Sequence, residues 1–292
     1  LLKKKTELYL PKSFEVTILA HYDMFVMTGK KTSLESTIYY SNDLFNLTSD
    51  STYTYSNRII TLNGKHNFNE KNKAEFGITN SEYKFGIDFE KNNQKSFDFG
   101  FKVNETKLIY KGLYNYSNRH KFTYGVNSTL YNISPGTLTP TDENSLLTYQ
   151  SIQKEKGLES ALFISDNITL NKKLSVNLGL RYTNFMALGP STQREYGANA
   201  PINEGNVINE ITYKNNEAIK TYNGLEYRIA LRQLLSETIS VKLSYDTNYQ
   251  YLHKLSTNTT QSPTDTWKLA DLNIKPSFGQ QASFGILADT SP

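Results

Sequence analysis

The side chains in this sequence that could do chemistry are scattered, and they form no catalytic set. His21, His66, His120 and His253 show neither His-x-x-x-His nor His-Glu-x-x-His spacing. Cysteine is absent, which excludes a thiolate nucleophile, a disulfide scaffold and Cys-ligated metal sites. The sequence therefore predicts no catalytic residue, no metal site and no cofactor, and it predicts that the chain is not an enzyme.

A second group of ionisable side chains shares one face of predicted strands: Arg181, Glu226, Arg228, Arg232, Lys242 and Asp246. Successive side chains of a strand point to opposite sides. These charges therefore lie opposite aliphatic rows, of which Val176, Leu178 and Leu180 form one. Arg or Lys on the lipid face of a membrane strand costs about 2–4 kcal/mol at the midplane. We therefore expect the charged face to be hydrated.

Aromatic side chains in or beside the predicted long loops are candidates for ligand contact: Tyr196, Tyr222, Tyr249, Tyr251 and Trp267. Exposed rings can stack on a flat or sugar-like ligand. The alternative is that they pack the loops or belong to an interfacial aromatic belt. A belt is also our interpretation of the tyrosines at predicted strand ends: Tyr39, Tyr40, Tyr53, Tyr55, Tyr114 and Tyr116.

The composition narrows the class of protein. The chain has 292 residues with a formal net charge of +4, which is too small to indicate nucleic acid as a partner. No apolar stretch approaches the roughly 18 residues of a transmembrane helix, and abundant aromatic residues exclude a disordered chain. The sequence opens without methionine and stops just after a strand-like run. We expect a fragment of a longer protein.

Long β-strands are the elements that must position these side chains. Apolar and polar residues alternate with period two, most clearly in 175–188 and 239–249, and again in 83–89 and 97–103. About eleven strands are predicted: roughly 14–27, 32–45, 53–67, 73–89, 96–115, 121–132, 159–170, 174–188, 218–233, 239–253 and 275–287. Most span about 12 to 17 residues, against about 5 to 6 in soluble sheets.

The predicted connections come in two sizes that alternate along the chain. Short polar turns are predicted at 28–31, 69–72, 117–120, 171–173 and 235–238, and long loops at about 134–158, 189–217 and 254–275. Long amphipathic strands with short turns at one edge and long loops at the other are typical of an outer-membrane β-barrel. A soluble all-β sandwich or solenoid is the alternative fold.

Three segments resemble the barrel of TonB-dependent outer-membrane receptors. They are LSVNLGLRY at 174–182, IKTYNGLEYR at 219–228 and SPTDTWKLAD at 262–271. The last is similar to the branch whose full-length members carry a carboxypeptidase-like regulatory domain before the plug. The resemblance is sharp from about 159 to 287. It implies a 22-stranded barrel, of which about eleven strands would form half.

The resemblance implies that residues 1–292 are a partial transmembrane β-barrel domain without the plug, the TonB box or the closing strands. The implied partners are outer-membrane lipid, the plug of the same full-length protein and TonB. A surface lipoprotein is a further candidate partner. Some charges of the hydrated face would then pair with the plug, Arg181, Glu226 and Arg228 first. Cut strands leave open edges, so we expect no closed barrel from these residues alone.

The function that follows from this resemblance is TonB-dependent active transport of a scarce nutrient across the Gram-negative outer membrane. The nutrient could be a siderophore, a glycan, a peptide or a similar compound, because the fold does not fix it. The predicted location is the cell outer membrane. Two alternatives stay open at this point: a passive porin or adhesin on a similar barrel, and a soluble extracellular β protein that binds glycans.

Overall fold

A computed structural model describes residues 14–27, 31–48, 50–90, 95–143, 145–256 and 265–288. Most of the described residues lie in β-strands, as predicted. The strands are β1 (Phe14–Met27), β2 (Thr32–Thr48), β3 (Ser51–Asn67), β4 (Asn72–Phe89), β5 (Phe97–Asn115), β6 (His120–Pro140), β7 (Gln150–Ser151), β8 (Glu155–Thr169), β9 (Leu174–Leu188), β10 (Ser191–Tyr196), β11 (Val207–Tyr213), β12 (Ala218–Leu234), β13 (Ile239–Gln250), β14 (Leu252–Leu255), β15 (Thr266–Leu269) and β16 (Ser277–Ala288). A short 3-10 turn lies at Glu204–Asn206.

Most of these strands form one antiparallel meander. Its order is β1-β2-β3-β4-β5-β6-β8-β9-β12-β13-β16, and β7 pairs with β6 at its side. This order contains eleven long strands, as many as the sequence predicts. The strand β6 is longer than expected, because it continues to Pro140 instead of ending near residue 132. The predicted fold class, an antiparallel meander of long strands, is confirmed.

Short turns at one edge of the sheet are stabilised by the same kind of side-chain hydrogen bond. The side chain of Asn69 accepts the backbone N–H groups of Lys71 and Asn72, both at 2.9 Å. Asn171 does the same for Lys173 and Leu174, at 2.8 and 3.0 Å. Ser and Asn side chains stabilise turns in this way because they replace a missing backbone acceptor. These residues therefore end one strand and start the next within a few positions.

The opposite edge carries short connections early in the chain and long ones later. Residues 49–50 separate β2 from β3, and residues 90–96 separate β4 from β5. The prediction that long loops alternate with short turns is therefore wrong for these two connections. The later connections are long and hold the hairpins β10–β11 and β14–β15. We call this edge the long-loop edge and the other the short-turn edge.

The hairpin β14–β15 folds back over one face of the sheet, where β15 contacts β6 and β8. We call this covered face the inner face and the opposite one the outer face. The outer face of β9 carries Leu178, Leu180 and Tyr182, which are 44%, 49% and 47% exposed. The aliphatic row read from the sequence therefore points outward, and no second layer formed by the described residues covers it. Among the described residues, no helix has the length and apolarity needed to cross a membrane.

The buried core lies on the inner face, towards the long-loop edge. It consists of Phe85, Phe101, Val103, Ile133, Phe185, Ala187, Tyr251, Leu269 and Ala270. Phe85 pairs directly with Phe101 across β4 and β5, whereas Ile78 and Leu108, an odd number of residues away in each strand, pair on the outer face. The apolar rows of 83–89 and 97–103 therefore differ from the outward aliphatic row of β9. They face inward.

The aromatic-belt interpretation also fails for two of the tyrosines. Tyr55 lies 5.0 Å from the ring of Phe85, and Tyr53 lies 6.5 Å from it, measured between ring centroids. Both rings pack against the buried core of the inner face. Tyr40 and Tyr116 are exposed, as a belt requires. Position at a strand end therefore did not decide which tyrosines contact the core.

Candidate functional site

The charges predicted for one face do meet there, on the inner face of β8, β9 and β12. Arg181 lies directly opposite Glu226 in the ladder between β9 and β12. Its guanidinium contacts Glu226 at 3.2 Å (Nε to Oε2) and Glu159 of β8 at 2.9 Å (Nη2 to Oε1). One arginine thus links three neighbouring strands through two carboxylates. The guanidinium can serve two carboxylates at once because its five N–H groups point in different directions.

Both carboxylates accept further hydrogen bonds from groups on neighbouring strands of the sheet. The hydroxyl of Tyr131 donates to Glu159 at 2.9 Å. The backbone N–H of Tyr249 donates to Glu226 at 3.0 Å, because the ladder between β12 and β13 stops at Arg228 and Asp246. Glu226 therefore supplies an acceptor where the ladder ends, as a half-buried N–H group requires. The charged groups of Arg181 and Glu226 therefore have their partners on neighbouring strands of the same sheet.

The remaining charges of the predicted set are divided between two strands. Arg228 donates to Asp246 at 2.9 Å, and the arginine side chain is largely exposed. Arg232 lies directly opposite Lys242 in the same ladder, so two cations face each other. Within the described ranges no carboxylate contacts either of them. Like charges directly opposite are destabilising, and this pair is the least compensated part of the set.

The hairpin β14–β15 is fixed to the inner face by Tyr251, which precedes β14, and by Leu269, the last residue of β15. The ring of Tyr251 stacks on Phe185 with centroids 4.6 Å apart and planes 7° apart. Its hydroxyl lies 2.7 Å from the hydroxyl of Thr183. Leu269 packs over Gly157, where a Cβ atom would come within 2.8 Å of the Phe185 ring. Glycine at 157 therefore permits this stacking.

An ion cluster completes the hairpin contact. Lys268 contacts Glu155 at 2.5 Å and Asp271 at 2.6 Å. Glu155 also accepts the backbone N–H of Leu269 at 2.7 Å. Burial alone would lower the pKa of Lys268, but the two carboxylates outweigh it and raise that pKa above its ordinary value. Burial lowers the pKa of His253 in the same hairpin.

The predicted ligand-contact aromatics are mostly packed. Tyr251 is buried; Tyr222 donates to the backbone carbonyl of Asp271 at 2.6 Å; Tyr249 lies 4.9 Å from the ring of Phe278. Trp267 is half-buried against the core, and Tyr196, also half-buried, is the last residue of β10. The alternative interpretation, that such rings pack the loops, fits Tyr222, Tyr249, Tyr251 and Trp267.

Sequence reasoning missed Glu159, Tyr131, Glu155 and Lys268. Glu159 could have been found, since it shares a predicted strand with polar neighbours. Lys268 and Glu155 are 113 residues apart, and only the return of the hairpin brings them together. Among the described residues, no group of His, Asp and Glu could hold a metal ion.

A comparison with known families decides the identity of this fold. The family described as "TonB dependent receptor-like, beta-barrel" matches residues 17–289. The chain belongs to the TonB-dependent receptors. Its long meander is therefore part of a TonB-dependent receptor barrel. This family comprises transporters and receptors, not enzymes, so the prediction that the chain is not an enzyme is confirmed.

Solved structures share the fold of this receptor barrel. The copper transporter OprC has a TM-score of 0.67 at 10% identity, covering 96% of this chain and 44% of its own. The siderophore receptor PiuA from Acinetobacter baumannii has 0.59 at 11%, covering 94% and 48%. The ferric-catecholate import receptor Fiu from E. coli K12 has 0.59 at 11%, covering 94% and 49%. No curated protein matches the chain.

The chain thus spans a little under half of the length of these three structures. TonB-dependent receptors have a plug domain and interact with TonB, and their barrels lie in the outer membrane. Such barrels carry outward apolar residues and a filled or polar interior. The uncovered aliphatic row on the outer face and the charged inner face have this arrangement.

Proposed function

We propose that this chain is one part of the wall of an outer-membrane transporter that imports a scarce nutrient with energy from TonB. The uncovered aliphatic band on the outer face carries the proposal. Leu178, Leu180 and Tyr182 would cost free energy in water, whereas lipid accommodates them. The inner face, with its charges and its folded hairpin, would then surround the plug.

The chemical class of the imported nutrient stays open. OprC is named a copper transporter, PiuA a siderophore receptor and Fiu a ferric-catecholate import receptor. At about a tenth of identical residues these names establish fold alone. We therefore propose active uptake without a named substrate. A surface lipoprotein as partner, and a total of 22 strands, stay predictions.

The inner-face charges divide into a structural group and a docking group. Arg181, Glu226 and Glu159 compensate one another within the wall. Arg232 and Lys242 do not, and they line a groove with Ser175, Asn177 and Asn167. We propose that a carboxylate of the plug docks between Arg232 and Lys242. A charge-assisted contact of this type lowers the repulsion between the two cations.

The test uses the full-length receptor with Arg232→Gln and Lys242→Gln combined. Loss of the docking contact should loosen the plug by about 1–2 kcal/mol and reduce uptake. Plug retention can be followed by protease accessibility, and uptake with labelled nutrient once one is known. Lys111→Gln is the matched control, because Lys111 also lies on the inner face but already contacts Glu75 at 3.0 Å.

The opposite outcome is informative. If the two cations merely line a wet lumen, their removal relieves repulsion and leaves plug retention and uptake at the parental level. The docking proposal would then be wrong. A receptor that fails to enter the outer membrane at all, in parent and variant alike, would instead contradict the transport proposal.

A further inference from the structure

A cation cluster lies on the outer face of β3, β4 and β5. Arg58, Lys84 and Lys102 surround one carboxylate, Glu82, at 3.7, 2.9 and 3.9 Å. The cations are each about half exposed, whereas the Glu82 side chain is 13% exposed. Three positive charges around one negative charge leave a net charge of +2. One carboxylate cannot neutralise this cluster.

The cluster lies just beyond the apolar band of the outer face, on the side of the long-loop edge. Along the outer face of β4, Phe76 and Ile78 are exposed apolar side chains, and Asn80 comes next, before Glu82 and Lys84. Asn80 accepts from Arg58 at 3.3 Å and donates to Thr106 at 2.9 Å. These cross-strand hydrogen bonds satisfy polar groups at the end of the apolar band. They place the boundary of the hydrocarbon region at Asn80.

The side of the membrane follows from the connections. Barrels of this class have short turns on the periplasmic side and long loops outside. The cluster lies between the boundary at Asn80 and the long-loop edge. It is therefore at the height of the headgroups of the outer leaflet. Because it is on the outer face, a molecule that passes through the lumen does not reach it.

A groove beside the cluster adds further positive charge. Its volume is about 530 Å³, and its charged lining is Arg58, Lys102, Lys154, Lys156, Glu82 and Glu155. Glu155 is already engaged with Lys268 on the inner face at 2.5 Å. The lining therefore has four cations for two carboxylates, and one of these carboxylates has a partner elsewhere. The groove favours an anion.

We propose that this cluster and groove bind the phosphate of an outer-leaflet lipid headgroup. Phosphate presents several acceptor oxygens to Arg and Lys, and such contacts are strong when both partners are charged. The acyl chains of the same lipid would lie against Phe76, Ile78 and Leu108 below. One lipid molecule would thus cover the apolar band with its acyl chains and bind the cations through its phosphate. This inference rests on the outer-membrane placement in the proposed function, but not on transport.

The experiment measures binding of the full-length receptor, in phosphatidylcholine vesicles, to bis-phosphorylated lipid A. The variant combines R58Q, K84Q and K102Q. Its affinity should fall roughly tenfold to a hundredfold, because each cation near an anionic surface contributes appreciably. The matched control combines K71Q, K172Q and K173Q, which removes the same charge from the short-turn edge. This control should bind like the parent.

Three further arms decide the source of the phosphate and the role of charge. Dephosphorylated lipid A should bind the parent as weakly as lipid A binds the variant. Inorganic phosphate should not compete at concentrations where lipid A saturates. Exchange of each cation for the other type (R58K, K84R and K102R) should keep most of the affinity, since charge is retained.

The inference is overturned by equal binding of parent and R58Q/K84Q/K102Q, by an equal loss in the control, or by full competition from inorganic phosphate. Loss of affinity in the charge-retaining variant equal to that in the neutral one would also overturn it. If the parent receptor does not insert into vesicles, the outer-membrane placement fails and this inference fails with it. Insertion with unchanged binding in the variant removes this inference alone.

Discussion

The two halves of β4 have the same alternation but opposite polarity. In the half near the short turn, Phe76 and Ile78 lie on the outer face and Glu75 on the inner face. In the half near the long loop, Glu82 and Lys84 lie on the outer face, whereas Phe85 is buried on the inner face. The neighbouring strands β3 and β5 change in the same way, through Arg58 and Phe101.

The difference shows that each half meets its own surroundings. A strand that extends beyond lipid has water on its outer side, so apolar residues there lose their advantage. On the inner side of the same half, Phe85 is buried against Tyr53, Tyr55 and Phe101 and is shielded from water. Period two reports that two faces differ. The alternation does not show which of the two faces is the outer one.

The largest expected effect on the free energy of unfolding comes from the buried core on the inner face of the long-loop half. Phe85→Ala removes a buried ring that contacts Tyr53, Tyr55 and Phe101. We expect a loss of about 3–5 kcal/mol in the free energy of unfolding, measured by urea titration of the full-length receptor in vesicles. Phe68→Ala, in an exposed turn, should change it by less than about 1 kcal/mol. Equal losses for Phe85→Ala and Phe68→Ala would contradict the assignment of Phe85 to a buried core.

The outer face of the short-turn half is tested by a charge. Ile78→Arg should cost about 2–4 kcal/mol, because the guanidinium would face hydrocarbon. Thr54→Arg lies on the outer face of the long-loop half and should cost little, because water is available there. The same urea titration compares them. A small effect for Ile78→Arg would place this half outside the membrane.

The ion cluster under the hairpin gives a pH-dependent test. Lys268→Met should cost about 1–3 kcal/mol, because Glu155 and Asp271 lose their charged donor. The pKa of Lys268 is raised above its ordinary value of 10.5. Its contribution is therefore complete below that value and is lost as pH rises through the raised pKa. Unfolding measured across alkaline pH should show parent and variant converging. The exposed Lys275→Met should show no such trend.

The smallest effect belongs to the inner face of the short-turn half. Lys111→Gln breaks a contact with Glu75 that is about one-third exposed. Exposed ion pairs contribute about 0.2–1 kcal/mol, so unfolding should shift only within that range, and less at high salt. A loss as large as that for Phe85→Ala would show that this half of the inner face is also a water-excluded core.

Much of the fold could be predicted because local rules decide it. Asn69 and Asn171 set tight turns through their own side chains, and strand alternation follows from backbone geometry. The inner charges on β9 and β12 could be predicted as neighbours because Arg181 and Glu226 share one face. The partner of Lys268 could not, since Glu155 is distant in sequence. The partner of Tyr251, the ring of Phe185, could not be predicted for the same reason.

The sequence by itself determined that the chain forms about eleven long antiparallel strands with two unlike faces, because alternation and turn chemistry act over a few residues. Only the tertiary structure decided which face is covered, where polarity inverts along β4, and which charges are already paired. The physical reason is that burial depends on what returns over the sheet. The hairpin β14–β15 reaches β6 and β8 by a path that no local pattern encodes.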